Sequence, residues 1–166
     1  MLLLPRPERL TGSLPGIFTP VYWSWEYFKD RQVGTMGLLC DPRHAALAGF
    51  PTELHSNWQW WEPITHSRAM ILDDLPRSLR PIVQVIDKFD TCRRLGVMFE
   101  ARVGTGRLLV CSIDLNGDLA QRPASLQLKR NVLGYMASDR FQPAQELHPQ
   151  HVDALFAGPP ARLKPG

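Results

Sequence analysis

The fold of this chain is decided by the stretch Leu95-Gly-Val-Met-Phe-Glu-Ala-Arg-Val-Gly-Thr-Gly-Arg-Leu-Leu-Val-Cys-Ser-Ile113. Aliphatic and β-branched residues fill its two halves and predict strands over residues 95–103 and 107–113. Between the two halves, Gly104-Thr105-Gly106 can supply the positive φ that a tight connection needs. The stretch therefore predicts a long β-hairpin.

Further strands and one long helix are predicted on either side of this hairpin. Short apolar runs, which are typical of buried strands, occur at residues 1–4, 35–40, 69–72 and 82–86. On the C-terminal side, residues 123–137 predict an amphipathic helix. Its apolar face is predicted to consist of Leu126, Val132, Leu133 and Met136. Because strands and helices alternate, the pattern favours an α/β sandwich with a mixed sheet.

Two shorter helices are predicted from local start and stop signals. Asp41-Pro42 can cap and begin a helix that Gly49 ends. A second helix is predicted to begin after Ser56 or Asn57 and to stop at Pro63.

The remaining segments are predicted as loops or as a tail. Residues 5–20 hold four prolines and two glycines, which predicts a loop. The aromatic-rich residues 21–29 are compatible with a short helix or with an irregular packed segment. We predict a single α/β domain over residues 1–141, followed by a polar, proline-rich tail over 142–166 with one turn of helix near its middle.

The totals of the chain exclude several classes of function. Its length of 166 residues suits one domain, and its net charge is only +3, with basic residues dispersed along the chain. A nucleic-acid partner is therefore not predicted, because its electrostatic footprint is missing. No apolar run has the length of a membrane span, and the start Met1-Leu-Leu-Leu-Pro5 lacks the features of a signal peptide. The compartment stays open.

The three cysteines predict neither a disulfide framework nor a metal site. Cys40 and Cys111 belong to apolar runs, and Cys92 stands apart from both. Widely spaced thiols in an odd number are typical of small core residues. His44, His55 and His66 recur without the short spacing of metal ligands, so no metal and no cofactor is predicted.

The most unusual segment is Glu53-Leu-His-Ser-Asn-Trp-Gln-Trp-Trp-Glu62. Indole faces can stack on sugar rings while amides and carboxylates bind their hydroxyl groups, so this composition fits a saccharide surface. The candidate binding residues are Glu53, His55, Asn57, Trp58, Trp60 and Trp61. However, Trp58 and Trp61 are three apart and share one side of a helix, which also suits a core or an interdomain interface. Both interpretations remain open.

Catalysis by this chain alone is a third hypothesis. Glycoside hydrolysis would need two carboxylates across a cleft, and no spacing selects a pair from Glu53, Glu62, Asp73, Asp74, Asp87, Glu100 and Asp114. Cys40 comes where a strand ends and a helix begins, as a nucleophile can, although the glycine-flanked elbow is absent. A small hydrolase would use Cys40 or a Glu53–His55 pair.

Four runs of the chain resemble the far C-terminal region of large bacterial, β-galactosidase-like glycoside hydrolases of family 2. They extend over Thr35 to Trp61, Arg80 to Asp87, Arg93 to Leu115 and Tyr135 to Phe141. The resemblance implies a non-catalytic accessory module of an enzyme that acts on β-galactoside-type carbohydrates. Such a module would serve interdomain packing or assembly with the other domains of its parent, which could be periplasmic or secreted. The family's catalytic carboxylates lie in a barrel outside the resembling region, so no catalytic residue carries over.

A further resemblance concerns the fold. The histidine-bearing Asp41-Pro42 turn and the later Val103-Gly-Thr-Gly-Arg107 hairpin are similar to class I glutamine-amidotransferase-like domains. This implies a flavodoxin-like three-layer sandwich whose usual nucleophile is unused. Such a domain has elements upstream of Met1, so the resemblance implies an N-terminally truncated chain. The alternative function is a stand-alone saccharide-binding module that uses the Trp58–Trp61 segment.

Overall fold

A computed structural model describes residues 1–18, 37–87 and 91–156. These residues form a seven-stranded mixed sheet. Its strands are β1 (Leu2–Leu3), β2 (Leu14–Pro15), β3 (Gly37–Cys40), β4 (Arg68–Ile71), β5 (Val83–Ile86), β6 (Leu95–Val103) and β7 (Gly106–Cys111). Its α-helices are α1 (Trp61–Thr65), α2 (Pro123–Met136) and α3 (Pro149–Ala154). Each α-helix of the described residues is too short or too polar to cross a membrane.

The hairpin of β6 and β7 is the centre of the sheet. Val103 pairs with Gly106, and Gly104 between them has a φ of +57°, as the sequence predicts. β6 also pairs with β4 and β5, and β3 extends the sheet beyond β5, all in antiparallel register. Only β1 is parallel to its partner among the described strands, and it lies beside β7. The α/β class with a mixed sheet is therefore confirmed.

Side chains of the hairpin alternate between two hydrophobic clusters. Leu109 and Cys111 of β7 enter one cluster, and Leu108 and Val110 enter the other. This alternation places the clusters on opposite faces of the sheet, because successive strand residues point to opposite sides. α1 and α2 contribute to the first cluster, and residues 147–156 contribute to the second. The sheet is therefore covered on both faces.

The long helix is confirmed, and its buried face agrees with the predicted one at Val132 and, in part, at Met136, but not at Leu133. The residues that α2 buries are Ser125, Leu128, Val132 and Tyr135. Leu133, which was predicted to point inward, is 46% exposed. The helix is rotated toward Tyr135, whose hydroxyl donates a 2.7 Å hydrogen bond to the Glu100 carboxylate of β6.

Three local predictions are corrected. The predicted loop at residues 5–20 contains a 3₁₀ turn at Pro7–Arg9 and the strand β2. After Asp41 the described chain forms a 3₁₀ turn, Ala45–Leu47, rather than an α-helix, and the His44 side chain caps it by accepting the Ala46 N–H. Pro63 does not end its helix but lies in the first turn of α1, where a backbone N–H would lack a helical partner anyway.

The other strands agree with the sequence, and part of the predicted tail packs on the sheet. β3 and β5 fall within the runs predicted for them, and β4 is shifted by one residue from its predicted run of 69–72. Beyond Phe141, the Arg102 N–H donates to the Gln145 carbonyl, and Leu147 N–H donates to the Arg102 carbonyl. Leu147 and Leu155 are buried in the second cluster. The predicted interpretations of residues 21–29 lie outside the described residues.

Candidate functional site

The tryptophan-rich segment folds as a 3₁₀ turn, Trp58–Trp60, that runs directly into α1. Trp60 points inward and is 0% exposed. Its indole N–H donates a 2.7 Å hydrogen bond to the Thr52 hydroxyl, and its ring packs edge-to-face on Phe50 at 4.9 Å. Trp60 therefore anchors the segment, and it is not available to a ligand as the sequence-based hypothesis required.

Trp58 and Trp61 point in the opposite direction, into solvent. The side chain of Trp58 is 86% exposed and that of Trp61 is 51% exposed. Their ring centroids are 6.1 Å apart, and the rings are inclined to each other by 51°. Phe18 stacks on Trp61 with a centroid distance of 5.7 Å and an angle of 17°. We call these three rings the aromatic platform.

The aromatic platform borders a shallow cavity of about 280 Å³, which Ser56 and Asn57 complete. Its volume is close to the lower end of the range for small-molecule sites, about 300 Å³. Asn57 directly precedes the 3₁₀ turn, but its side chain makes no capping hydrogen bond within the described residues. Its amide donors and carbonyl oxygen can therefore serve a ligand over the rings.

The other candidate binding residues lie beside this cavity rather than in it. Glu53 and His55 pair with each other, Oε2 to Nε2 at 3.5 Å, and both are well exposed. They are outside the described lining of the cavity. Of the six predicted residues, the structure thus brings together Asn57, Trp58 and Trp61. Sequence reasoning missed Phe18 and Ser56, because Phe18 is distant in the chain and Ser56 was considered only as a helix cap.

Exposed aliphatic side chains extend the apolar surface near the platform. Leu54 is 68% exposed, Leu39 is 46% exposed and Ile86 is 40% exposed. Leu39 forms an isolated bridge with His55, which ties β3 to the segment. A Cβ placed on Gly37 would lie 3.8 Å from the Ser56 hydroxyl and 3.9 Å from the Ile86 side chain. We call Leu39, Leu54 and Ile86 the aliphatic rim.

An ionic cluster around the buried Arg122 side chain holds α1 in place, through the residue that follows Trp61. Arg122 donates to Glu62 at 2.7 Å and to Asp114 at 3.0 Å, and its own side chain is only 8% exposed. Glu62 also accepts hydrogen bonds from the backbone N–H of Ser125 at 2.9 Å and from its hydroxyl at 2.7 Å. This carboxylate thereby caps the first turn of α2, where negative charge is favourable.

The electrostatics of this cluster do not suit a general acid and base pair. Burial raises the pKa of the Glu62 carboxyl, but hydrogen bonds from Ser125 and Arg122 outweigh it, so that the pKa lies below its ordinary value. For Asp114, burial is likewise outweighed by backbone hydrogen bonds and by Arg122, which lowers the pKa. Glycoside cleavage needs one protonated carboxyl group as the proton donor. Because both carboxylates remain ionised, neither can serve as that donor. The two clefts beside them, of about 360 and 470 Å³, share His66, Asp114 and Gly117.

Cys40 does not have the character of a nucleophile. Its side chain is buried, and burial raises the pKa of the thiol to about 11, against an opposing hydrogen bond with Thr52. The reactive thiolate is therefore scarce at neutral pH. Glu100 is likewise engaged, because it accepts from Tyr135 and lies 3.6 Å from Nε2 of His44. Within the described residues, no group of three His, Cys, Asp or Glu could hold a metal ion.

Comparison with known protein families places the chain in a family. A family model described as Domain of unknown function (DUF8487) matches residues 1–157, which includes the platform, the ionic cluster and α3. No curated protein matches the chain.

Proposed function

The chain belongs to the DUF8487 family, a domain of unknown function, and from its surface we propose that it is a non-catalytic module that contacts carbohydrate. The aromatic platform would stack on the C–H faces of sugar rings, and Asn57 and Ser56 would bind hydroxyl groups. The observation that carries this proposal is the outward orientation of Trp58 and Trp61 beside an Asn57 side chain that makes no capping bond among the described residues.

The exposure of the Trp58 and Trp61 indoles to water is unfavourable, and this supports the proposal that they belong to an interaction surface. Apolar area in water costs roughly 25 cal/mol per Å², and a contiguous exposed apolar patch usually marks a binding site. The neighbouring Trp60 is fully buried, so the same short turn can bury an indole where packing requires it. Trp58 and Trp61 are thus presented to solvent by a rigidly anchored segment, which reduces the entropy lost on binding.

The wider context of the module is part of the same proposal. On the sequence resemblance to the C-terminal region of family 2 glycoside hydrolases, the module would lie beside other domains of an enzyme that acts on β-galactoside-type carbohydrates. A flavodoxin-like, class I glutamine-amidotransferase-like sandwich is the fold that we propose. The packing of both faces of the sheet supports a layered sandwich. Among the described strands, five of the six pairings are antiparallel, which departs from the parallel sheet of a flavodoxin-like domain.

The aliphatic rim favours a second candidate function, interdomain packing. Leu39, Leu54 and Ile86 have no hydrogen-bonding groups for a sugar, but a neighbouring domain could bury them. In that case Leu54→Ser would weaken docking of the parent domains, and Asn57→Ala would have little effect. If the saccharide function holds, Asn57→Ala would weaken sugar binding, and Leu54→Ser would have little effect on it.

Isothermal titration calorimetry with galactosides and plant oligosaccharides tests the proposal. We expect saturable binding by the chain, loss of binding in Trp58→Ala, and retention in Leu133→Ala. Leu133 is an exposed leucine of α2 at 46% exposure, and it serves as a matched control for removing surface apolar area. An absence of binding by protein with a cooperative thermal transition would contradict the saccharide function and leave interdomain packing.

A further inference from the structure

The relative orientation of the platform rings restricts the shape of a saccharide that they can hold. Trp58 and Trp61 are inclined by 51° with centroids 6.1 Å apart, so their faces do not lie in one plane. Phe18 is stacked on Trp61 within 17° of parallel, and it supports Trp61 in that orientation. The exposed faces of the two indoles therefore point in different directions, and we call them the two walls of the platform.

A flat array of polysaccharide chains cannot use both walls. Stacking brings a ring face parallel to the surface that it contacts, and two faces inclined by 51° cannot both be parallel to one plane. A single saccharide chain can stack on both indoles, because its successive sugar rings are rotated about their glycosidic bonds and so face in different directions. A chain end can also do so, with its terminal ring on one indole and the next ring on the other.

The rest of the cavity agrees with a short ligand. Its volume of about 280 Å³ is small, and polar groups enter it from Ser56 and Asn57 at the start of the turn. Hydroxyl groups at the edge of a single chain can reach such side chains. On the face of a crystalline array the hydroxyl groups are engaged with neighbouring chains.

We propose that the aromatic platform binds a single, soluble oligosaccharide chain or chain end, and that it does not bind the flat face of an insoluble polysaccharide. This inference rests on the proposed function, since it specifies the ligand class of the same site. It assigns equal importance to Trp58 and Trp61, because each forms one wall.

Two assays on the full chain test the ligand class. The first is calorimetric titration with galacto-oligosaccharides of increasing length, and the second is co-sedimentation with microcrystalline cellulose and insoluble galactan. We expect binding of the soluble oligosaccharides and no retention on either solid. Trp58→Ala and Trp61→Ala should each weaken binding by about tenfold or more, whereas Leu133→Ala should not.

The outcomes separate the inference from the function on which it rests. Retention on the solids with an affinity equal to or above that for soluble chains would overturn the inference and leave the saccharide function standing. Loss of affinity in only one of the two tryptophan variants would also overturn it, because one flat wall would then suffice. If folded protein bound neither soluble nor insoluble carbohydrate, the proposed function itself would fail. Because Trp61→Ala could disturb α1, Trp61→Phe serves as a milder variant and should retain part of the affinity.

Discussion

Arg122 and Glu62 form an ion pair, Nε to Oε1 at 2.7 Å, that joins the start of α2 to the residue following Trp61. Arg122 also binds Asp114, in the segment after β7, so one guanidinium connects three parts of the chain. Glu62 in turn accepts the backbone N–H of Ser125 at the first turn of α2. The orientation of α1, and with it the position of Trp61, therefore depends on this cluster.

Removal of Arg122 is expected to destabilise the protein strongly. Arg122→Ala leaves two partly exposed carboxylates without their cation, and the loss of such charge-assisted hydrogen bonds costs about 1.5–3 kcal/mol. Chemical denaturation monitored by circular dichroism should show this loss in the free energy of unfolding. Arg43→Ala provides the control, because Arg43 is 94% exposed and lies 4.0 Å from Asp41, and it should leave the stability nearly unchanged. Equal stability of both variants would contradict a structural role for the cluster.

The same cluster predicts a dependence of stability on pH. Glu62 and Asp114 have folded-state pKa values below their ordinary values of 4.5 and 3.8, so the folded protein holds their protons less tightly than the unfolded chain does. Their contribution to stability is complete above those ordinary values, and it is lost as the pH falls through the lowered pKa values. We expect the free energy of unfolding to decrease below about pH 4.5, as measured by urea denaturation across a pH series.

Glu62→Gln tests the origin of that pH dependence. The variant removes one of the two titrating carboxylates while keeping a side chain of similar shape, so its stability should fall less steeply with acid. Glu53→Gln is the matched control, because Glu53 is exposed and pairs only with His55 among the described ion pairs. An unchanged acid dependence in Glu62→Gln would show that other groups cause it.

The tryptophans of one turn are expected to differ sharply in their effect on stability. Trp60→Ala removes a fully buried indole and its hydrogen bond to Thr52, which should cost about 3–5 kcal/mol. Trp58→Ala removes an indole that is mostly in water, and surface changes of this kind usually alter stability by less than about 0.5 kcal/mol. Guanidinium denaturation of both variants measures the difference. Similar losses in the two would mean that Trp58 also packs against the core.

Much of the fold could be predicted because its strongest signals are local. The β6–β7 hairpin carries its strand pattern and its turn glycine within one stretch, and α2 has its proline start and helical period in another. The apolar face of α2 could not be read from hydrophobicity alone. Tyr135 is drawn inward by Glu100, a partner 35 residues away, while Leu133 is left in solvent.

The candidate site could be predicted only in part for a similar reason. Helical spacing correctly puts Trp58 and Trp61 on one side and Trp60 on the other. The side that faces the core is the one that carries Trp60, because Trp60 packs on Phe50 and donates a hydrogen bond to Thr52. The positions of Phe50 and Thr52 follow from the tertiary structure, which helical spacing does not give. The packing of Leu147 in the second cluster was missed because its neighbours are polar, and its burial depends on pairing of the backbone with Arg102.

Two glycines are expected to respond in opposite directions to alanine. At Gly134, in the interior of α2, no described atom lies within 4 Å of an added Cβ, so Gly134→Ala should raise the free energy of unfolding by about 0.5–1 kcal/mol. At Gly16 an added Cβ would overlap the Ile64 carbonyl, and it would lie 2.9 Å from the carbonyl carbon. Because backbone cannot yield as a flexible side chain does, Gly16→Ala should displace residues 13–16 from α1 and lower the melting temperature. Thermal denaturation of the two variants measures both effects, and an unchanged melting temperature in Gly16→Ala would contradict the close approach of these two backbone segments.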